Sequence, residues 1–295
     1  MQLDGVITSL ITPFKEQSLD AEGLKENILF QLENGVSGLL AGGTTGEAPT
    51  LDLEEYQLLI QASSETIQKK VPLLVSIGES ATKRSLVKME MATELGADAL
   101  LMATPAYNKP SQEGLYQHFK AIAASSKLPL ILYNNPSRTG VSIELSTFLR
   151  LVEIENVIGI KESSGNIQVA QEMLYHLPED FIFLSGEDNL TLPLIALGAR
   201  GVVSVLSNLM PEQMVTFVQK ALAGDFASAR ILQSKLYPFF RACFCETNPV
   251  PIKTMMALLG KAAGHCRLPL APLKNENIER LQTLLQLSHK VASHE

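Results

Sequence analysis

Lys161, the paired threonines Thr44 and Thr45, Tyr107, Tyr133 and Arg138 are the residues whose types and surroundings could do chemistry together. Lys161 closes the run Val157-Ile-Gly-Ile-Lys161, an apolar stretch with the length and content of a strand buried on both faces. Burial disfavours a cation, so a lysine in such a place can supply the neutral amine that attacks a carbonyl carbon and forms a Schiff base. It can equally be a strand-end cation paired with the adjacent Glu162, and this stretch alone does not separate the two readings. The turn Gly42-Gly-Thr-Thr-Gly-Glu47 lets backbone amides approach a small anion and adds two hydroxyls, although glycines at this density also make a plain tight turn. A strand-end tyrosine is ordinarily a packed ring with a wetted hydroxyl, and an arginine in a loop rich in proline and glycine is ordinarily solvated.

What argues against separate structural explanations for Lys161, Tyr133, Arg138, Thr44 and Thr45 is where the elements put these residues. Apolar strand-like runs alternate with amphipathic helix-like runs from Val6 onward, the pattern of βα units on a parallel sheet. The strands read as Val6 to Thr12, Ser37 to Ala41, Pro72 to Ile77, Ala99 to Ala103, Leu130 to Tyr133, Val157 to Lys161, Phe181 to Ser185 and Gly201 to Val205. The intervening helices read as Asp20 to Glu33, Asp52 to Gln68, Thr82 to Leu95, Gln112 to Ser125, Glu144 to Glu153, Asn166 to His176, Asn189 to Leu197 and Glu212 to Ala223. Several of these stop at a glycine positioned as a C-terminal cap, such as Gly35, Gly96, Gly198 and Gly224.

Eight such units predict a closed (β/α)8 TIM barrel, which leaves no edge strand to protect. A doubly wound open sheet is the alternative, but no Gly-x-Gly-x-x-Gly opens the first helix. In a barrel the active site lies past the C-terminal ends of the strands. There the sequence has Thr44 and Thr45 after strand 2, Tyr107 after strand 4, and Tyr133 and Arg138 at and after strand 5. It has Lys161 at the end of strand 6, Gly186-Glu-Asp188 after strand 7, and Val203 in strand 8. Residues 1–224 are thus expected to form the catalytic barrel. Residues 225–295 read as helices alone, Asp225 to about Cys245, Val250 to about Ala262 and Asn275 to about Ala292, a C-terminal extension packed on the barrel.

Composition narrows the class. The chain of 295 residues is 46% hydrophobic and 19% charged, with a net charge of −7 carried by interspersed acids and bases. Nothing there forms an electrostatic footprint for nucleic acid or an anionic membrane. No apolar run is long enough to span a bilayer, and Met1-Gln-Leu-Asp-Gly5 lacks the basic start of a signal peptide. Cys243, Cys245 and Cys266 are odd in number and lack zinc or redox spacing, as expected of reduced thiols in a cytoplasmic protein. The five histidines show no ligand spacing, so no metal and no cofactor is expected.

The segments Gly43-Thr-Thr-Gly-Glu47, Tyr107-Asn, Tyr133-Asn-x-Pro-Ser-Arg-Thr-Gly140, Gly159-Ile-Lys-Glu162 and Asn248-Pro-Val-Pro-Ile-Lys253 stand in an order and spacing that resembles the dihydrodipicolinate synthase family, within the N-acetylneuraminate lyase superfamily. The resemblance runs over nearly the whole chain. It implies a lyase that joins pyruvate to L-aspartate 4-semialdehyde through an imine on Lys161, on the diaminopimelate route to lysine. It implies Thr45 and nearby amides for the pyruvate carboxylate, Tyr133 with Thr44 for proton transfer, Arg138 for the semialdehyde carboxylate, and Gly186 and Val203 as pocket wall. By the same resemblance Tyr107 completes the relay of a neighbouring subunit, in a homotetramer built as a dimer of dimers.

Other readings are a related aldolase acting on a sugar 2-keto acid, which would not need a carboxylate clamp at Arg138, and a barrel that has lost catalysis and serves for binding. Two positions depart from the family pattern: Ala106, where many relatives have a tyrosine, and Asn135, where an aliphatic residue is usual. In lysine-sensitive relatives the effector site lies near the segments Ala48 to Tyr56, Ser80 to Arg84 and Ala106. Serine, histidine, asparagine, glutamate and tyrosine side chains there give way in this chain to Ala48, Leu53, Tyr56, Ser80, Arg84 and Ala106, which implies weak or absent inhibition by lysine.

Overall fold

The computed structural model describes residues 3–292. Its eight parallel strands close on themselves: β1 Gly5–Ser9, β2 Gly38–Ala41, β3 Leu73–Ser76, β4 Ala99–Ala103, β5 Leu130–Asn134, β6 Val157–Glu162, β7 Ile182–Ser185 and β8 Gly201–Ser204. Each strand pairs with its neighbour in sequence, and β1 pairs with β8 to shut the barrel, which is the expected TIM architecture. Both faces of every strand are buried, which is why the sequence shows unbroken apolar runs rather than alternation.

Two apolar clusters result. Ile7, Leu40, Leu74, Leu101, Ile131, Tyr133, Leu184 and Val203 fill the lumen, whereas Val6, Leu39, Leu100, Leu132 and Ile160 face the helical shell. Strand β6 breaks its own alternation to serve the site. Its pairing with β5 slips between Leu130, opposite Val157, and Ile131, opposite Gly159. Val157 faces the shell and Ile158 the lumen, yet Ile160 faces the shell again. Without the extra residue Lys161 would point at the helices; with it, Lys161 turns inward. Gly159 is required at this step, because a Cβ there would lie 2.6 Å from the Ile182 carbonyl oxygen.

The helices lie close to their expected bounds, from Ala21–Glu33 to Pro211–Leu222. Some features differ from the sequence expectation. A small hairpin pairs Phe14–Lys15 with Ser18–Leu19, one turn of helix covers Pro136–Thr139, and the helix starting at Val250 stops at Leu258, short of Ala262. Strand β1 also ends at Ser9 rather than Thr12, since the Ile11 amide leaves the sheet to donate to Asn208 Oδ1 at 3.1 Å.

The tail helices Phe226–Ala242, Val250–Leu258 and Asn275–Ala292 share the shell core through Phe239, Met255 and Leu281. They are also bound to the barrel mouth by charge. Lys253 Nζ donates to Glu47 at 2.7 Å, to the Thr12 carbonyl at 3.0 Å and to the His265 carbonyl at 3.2 Å. No helix of the described residues is long and apolar enough to cross a membrane.

Candidate active site

The turn after β2 is built by short-range backbone bonds, Gly46 N–H to the Gly43 carbonyl and Glu47 N–H to the Thr44 carbonyl, both at 3.1 Å. Gly42 at φ +64° starts it, a conformation that glycine adopts freely. Glu47, at φ 53°, is held there by Lys253 and by the Arg267 amide, so the tail fixes the turn. The amide N–H groups of Thr44 and Thr45 have no acceptor among the described residues. Thr45 is buried, and its hydroxyl accepts from Asn248 Nδ2 at 3.2 Å.

Register aligns Ala103, Tyr133, Lys161 and Leu184 across four neighbouring strands, so Tyr133 and Lys161 reach the mouth at the same height. Lys161 is 6% exposed, and its Nζ lies 4.2 Å from the centre of the Tyr133 ring. Among the described residues its ammonium has no carboxylate within ion-pair distance. Glu162, the neighbour that could have neutralised it, points away and accepts from Asn134 Nδ2 at 2.7 Å and from the Ser164 amide. That removes the simple strand-end ion pair as the reason for a lysine here.

Tyr133 is also buried, and its hydroxyl accepts from Asn135 Nδ2 at 2.7 Å rather than bonding to Thr44. Burial by itself would raise the phenol, but the Lys161 charge, Asn135, Ser163 and Arg138 outweigh it and hold it below the ordinary tyrosine value. Arg138 rises from the one-turn helix after β5 and donates to the Asn248 carbonyl at 3.1 Å, a second link from mouth to tail. Gly43, Thr44, Glu79, Ser80, Tyr133 and Arg138 line one cavity of about 420 Å³. A larger groove of about 610 Å³ runs along the tail helices, and Glu187 is its link to this chemistry.

Glycine at 186 leaves room for the site, since a Cβ there would fall 1.7 Å from Ser163 Oγ and 3.0 Å from Lys161 Cε and displace one or both side chains. Val203 lies in the lumen cluster with Tyr133. Tyr107 is the exception among the predicted residues: it is 95% exposed, at φ 74°, on a loop tied back by Asn108 Nδ2 donating to the Ser80 carbonyl. Within one chain it touches none of the others.

Sequence reading missed four residues. Asn135 was noted as a departure without a role, and Ser163 follows Lys161 by two positions, one residue past the end of β6, a spacing that could have pointed to it. Glu187 and Asp188 were quoted without roles. Asp188 accepts from the Val205 and Leu206 amides at 3.1 and 2.9 Å and fixes the end of β8, and burial raises its carboxyl. Burial pushes Glu187 up to about 7 against the pull of Lys161.

The pattern of the Dihydrodipicolinate synthetase family matches residues 2–288. The 4-hydroxy-tetrahydrodipicolinate synthase of Sulfurihydrogenibium sp. (strain YO3AOP1) is 44% identical over 96% of this chain and 97% of its own. That of Methanocaldococcus jannaschii is likewise 44% identical, with the same coverage of both chains. The solved 4-hydroxy-tetrahydrodipicolinate synthase of the thermoacidophilic methanotroph Methylacidiphilum fumariolicum SolV superposes with a TM-score of 0.97, at 42% identity, over 99% of this chain and 98% of that one. A match of this extent, on a barrel whose mouth gathers the quoted motifs, means that the chain belongs to the dihydrodipicolinate synthetase family.

Proposed function

We propose that this protein is a lyase of the 4-hydroxy-tetrahydrodipicolinate synthase type, condensing pyruvate with L-aspartate 4-semialdehyde through a Schiff base on Lys161. The observation that carries the reading is Lys161 itself: buried at the barrel mouth, without an acidic partner among the described residues, and against the ring of Tyr133. The amine adds to the keto carbon of pyruvate and water leaves, giving an imine. The protonated imine draws electrons from the methyl carbon, a proton departs, and the resulting enamine carbon attacks the aldehyde. The amino group of the adduct then displaces Lys161 as the ring closes.

The Thr44 and Thr45 amides and the Thr45 hydroxyl hold the pyruvate carboxylate in this reading. Tyr133 moves the protons to and from the addition intermediate and the enamine, with Thr44 beside it on the cavity wall. Arg138 holds the semialdehyde carboxylate, a task suited to a guanidinium fork. Gly186 and Val203 shape the wall, and Tyr107 serves a second copy of the chain across a two-fold contact, in a dimer of dimers. The exposure of Tyr107 supports that last step, because a side chain 95% exposed in its own chain is available to another. We place the reaction in the cytoplasm.

Incubation with pyruvate followed by borohydride reduction and peptide mass analysis tests the central claim. A reduced adduct on Lys161 is expected; labelling of another lysine, or of none, overturns it. A sugar 2-keto acid lyase would give the same adduct, so the pair is completed by the semialdehyde, which must be consumed with pyruvate.

A further inference from the structure

Tyr133 Oη sits in a closed setting: the ring is 8% exposed, Asn135 6% and Ser163 4%. Asn135 Nδ2 donates to it at 2.7 Å. The amide is itself held, since Ser137 Oγ donates to Asn135 Oδ1 at 2.8 Å and leaves the nitrogen facing the phenol. Ser163 Oγ is buried, has no hydrogen-bond partner among the described residues, and occupies the space beside Gly186 where a Cβ would fall 1.7 Å from it. An aliphatic side chain at 135, the type that the family pattern would put there, offers no donor. A buried N–H with its other end anchored favours the negative form of the oxygen that it faces.

We infer that Asn135, oriented by Ser137 and assisted by the Ser163 hydroxyl, forms a donor nest that stabilises the phenolate of Tyr133, making Asn135 a positioning residue for proton transfer. The consequence for turnover rests on the proposed role of Tyr133; the nest itself does not. The other charged groups around the phenol are Lys161 from β6, Arg138 from the helix after β5, Glu187 and Asp188 beyond β7, Glu162 behind Lys161 and Glu79 across the cavity. Lys161 and Arg138 act on the phenol in the same direction as the nest, and together the three hold the phenol below the ordinary tyrosine value. The variants therefore leave every charge in place and remove donors alone.

Ultraviolet difference titration of tyrosinate, with Tyr133→Phe to assign the transition, reads the effect directly. Asn135→Val is expected to move the Tyr133 transition upward by about one pH unit, a tenfold change in its ionisation constant. Ser163→Ala and Ser137→Ala should move it the same way by less. Ser137 is exposed, so its variant decides the matter if Asn135→Val fails to fold. A Tyr133 transition that stays in place in the folded variants overturns the nest. If the transition moves while the pH dependence of kcat does not follow, the nest stands and the catalytic role assigned to Tyr133 falls.

Discussion

Lys161 and Lys253 are buried within the same barrel mouth, 6% and 2% exposed, and each ammonium lies over an aromatic ring, Tyr133 at 4.2 Å and Phe14 at 4.4 Å. Their surroundings differ in what answers the charge. Lys253 has the Glu47 carboxylate and two backbone carbonyls, and Glu47 is in turn held by the Arg267 amide. Burial lowers Lys253 from the ordinary lysine value, with Glu47 pulling the other way. Lys161 has a phenol and a carboxylate, Glu187, that burial holds up near neutrality. A buried lysine whose donors are all met is a fastener; one left unanswered is free to react.

Exchanging each lysine for methionine breaks this comparison in opposite ways. Lys161→Met should lower kcat by more than about 10⁴-fold, the scale of losing a nucleophile, with the melting temperature unchanged or raised because an unanswered buried charge is gone. Lys253→Met should lower stability by about 3–5 kcal/mol, since it strands the Glu47 carboxylate without its partner. Steady-state rates and denaturant unfolding on both variants check it. A Lys161→Met chain that is as destabilised as Lys253→Met would place the two lysines in one class.

Arg138 sharpens the contrast at the substrate end, because its guanidinium has one protein acceptor, the Asn248 carbonyl, and otherwise faces the cavity. Arg138→Ala is expected to cost about 2 kcal/mol in kcat/KM, roughly 30-fold, with KM for the semialdehyde rising more than KM for pyruvate. Equal effects on both substrates would mean that the residue secures the tail through Asn248 rather than clamping the acceptor.

The carboxylates carry a pH signature. Glu187 in the folded chain binds its proton up to about 7, well above the ordinary carboxylate range where the unfolded chain releases it. The folded state therefore holds more protons between those limits, and stability must fall as pH rises through them. With screening at this partly accessible site, about 1 kcal/mol is expected. Unfolding at pH 5 and pH 7.5 measures it, and Glu187→Gln should flatten that difference; an unchanged slope in the variant would assign the proton elsewhere.

The order of the barrel's strands and helices was legible because burial imposes it: strands covered on both faces need apolar runs, and covering helices need one apolar stripe. The inward turn of Lys161 was not, since an extra residue in β6 leaves the run Val157-Ile-Gly-Ile apolar either way. Gly159 in the middle of that strand was the signal, and it has a steric reason in the Ile182 carbonyl. Lys253 and Glu47 were each quoted inside a motif, but no local pattern joins residues 206 apart. Asn135 stood out only as a departure from the family pattern, because the one-turn helix Pro136–Thr139, which folds it back onto Tyr133, is too short for periodicity to reveal.

The smallest effect expected is that of free L-lysine, and a third buried lysine explains why. Lys88 Nζ is ion-paired with Glu79 and lies 4.6 Å from the centre of the Tyr56 ring, while Tyr56 Oη donates to the Ser76 carbonyl at 2.7 Å. Glu79, Ser80, Ala48 and Ala106 line the same cavity as Tyr133 and Arg138. The one carboxylate that could receive the ammonium of an amino-acid effector there already holds an internal ammonium, in the manner of Glu47 with Lys253. Arg84, four residues past Ser80 in sequence, carries a like charge, and Ala48 and Ala106 offer no side-chain hydrogen bonds. Initial rates should therefore be unchanged as L-lysine is added, and inhibition at sub-millimolar concentration would show that a working effector site exists. Lys88→Met should release Glu79 and make any sensitivity stronger, with the proviso of a measurable loss of stability from the uncovered carboxylate. If the variant stays insensitive, the barrier lies in the missing hydrogen-bonding groups at 48, 53 and 106 rather than in the charge already spoken for.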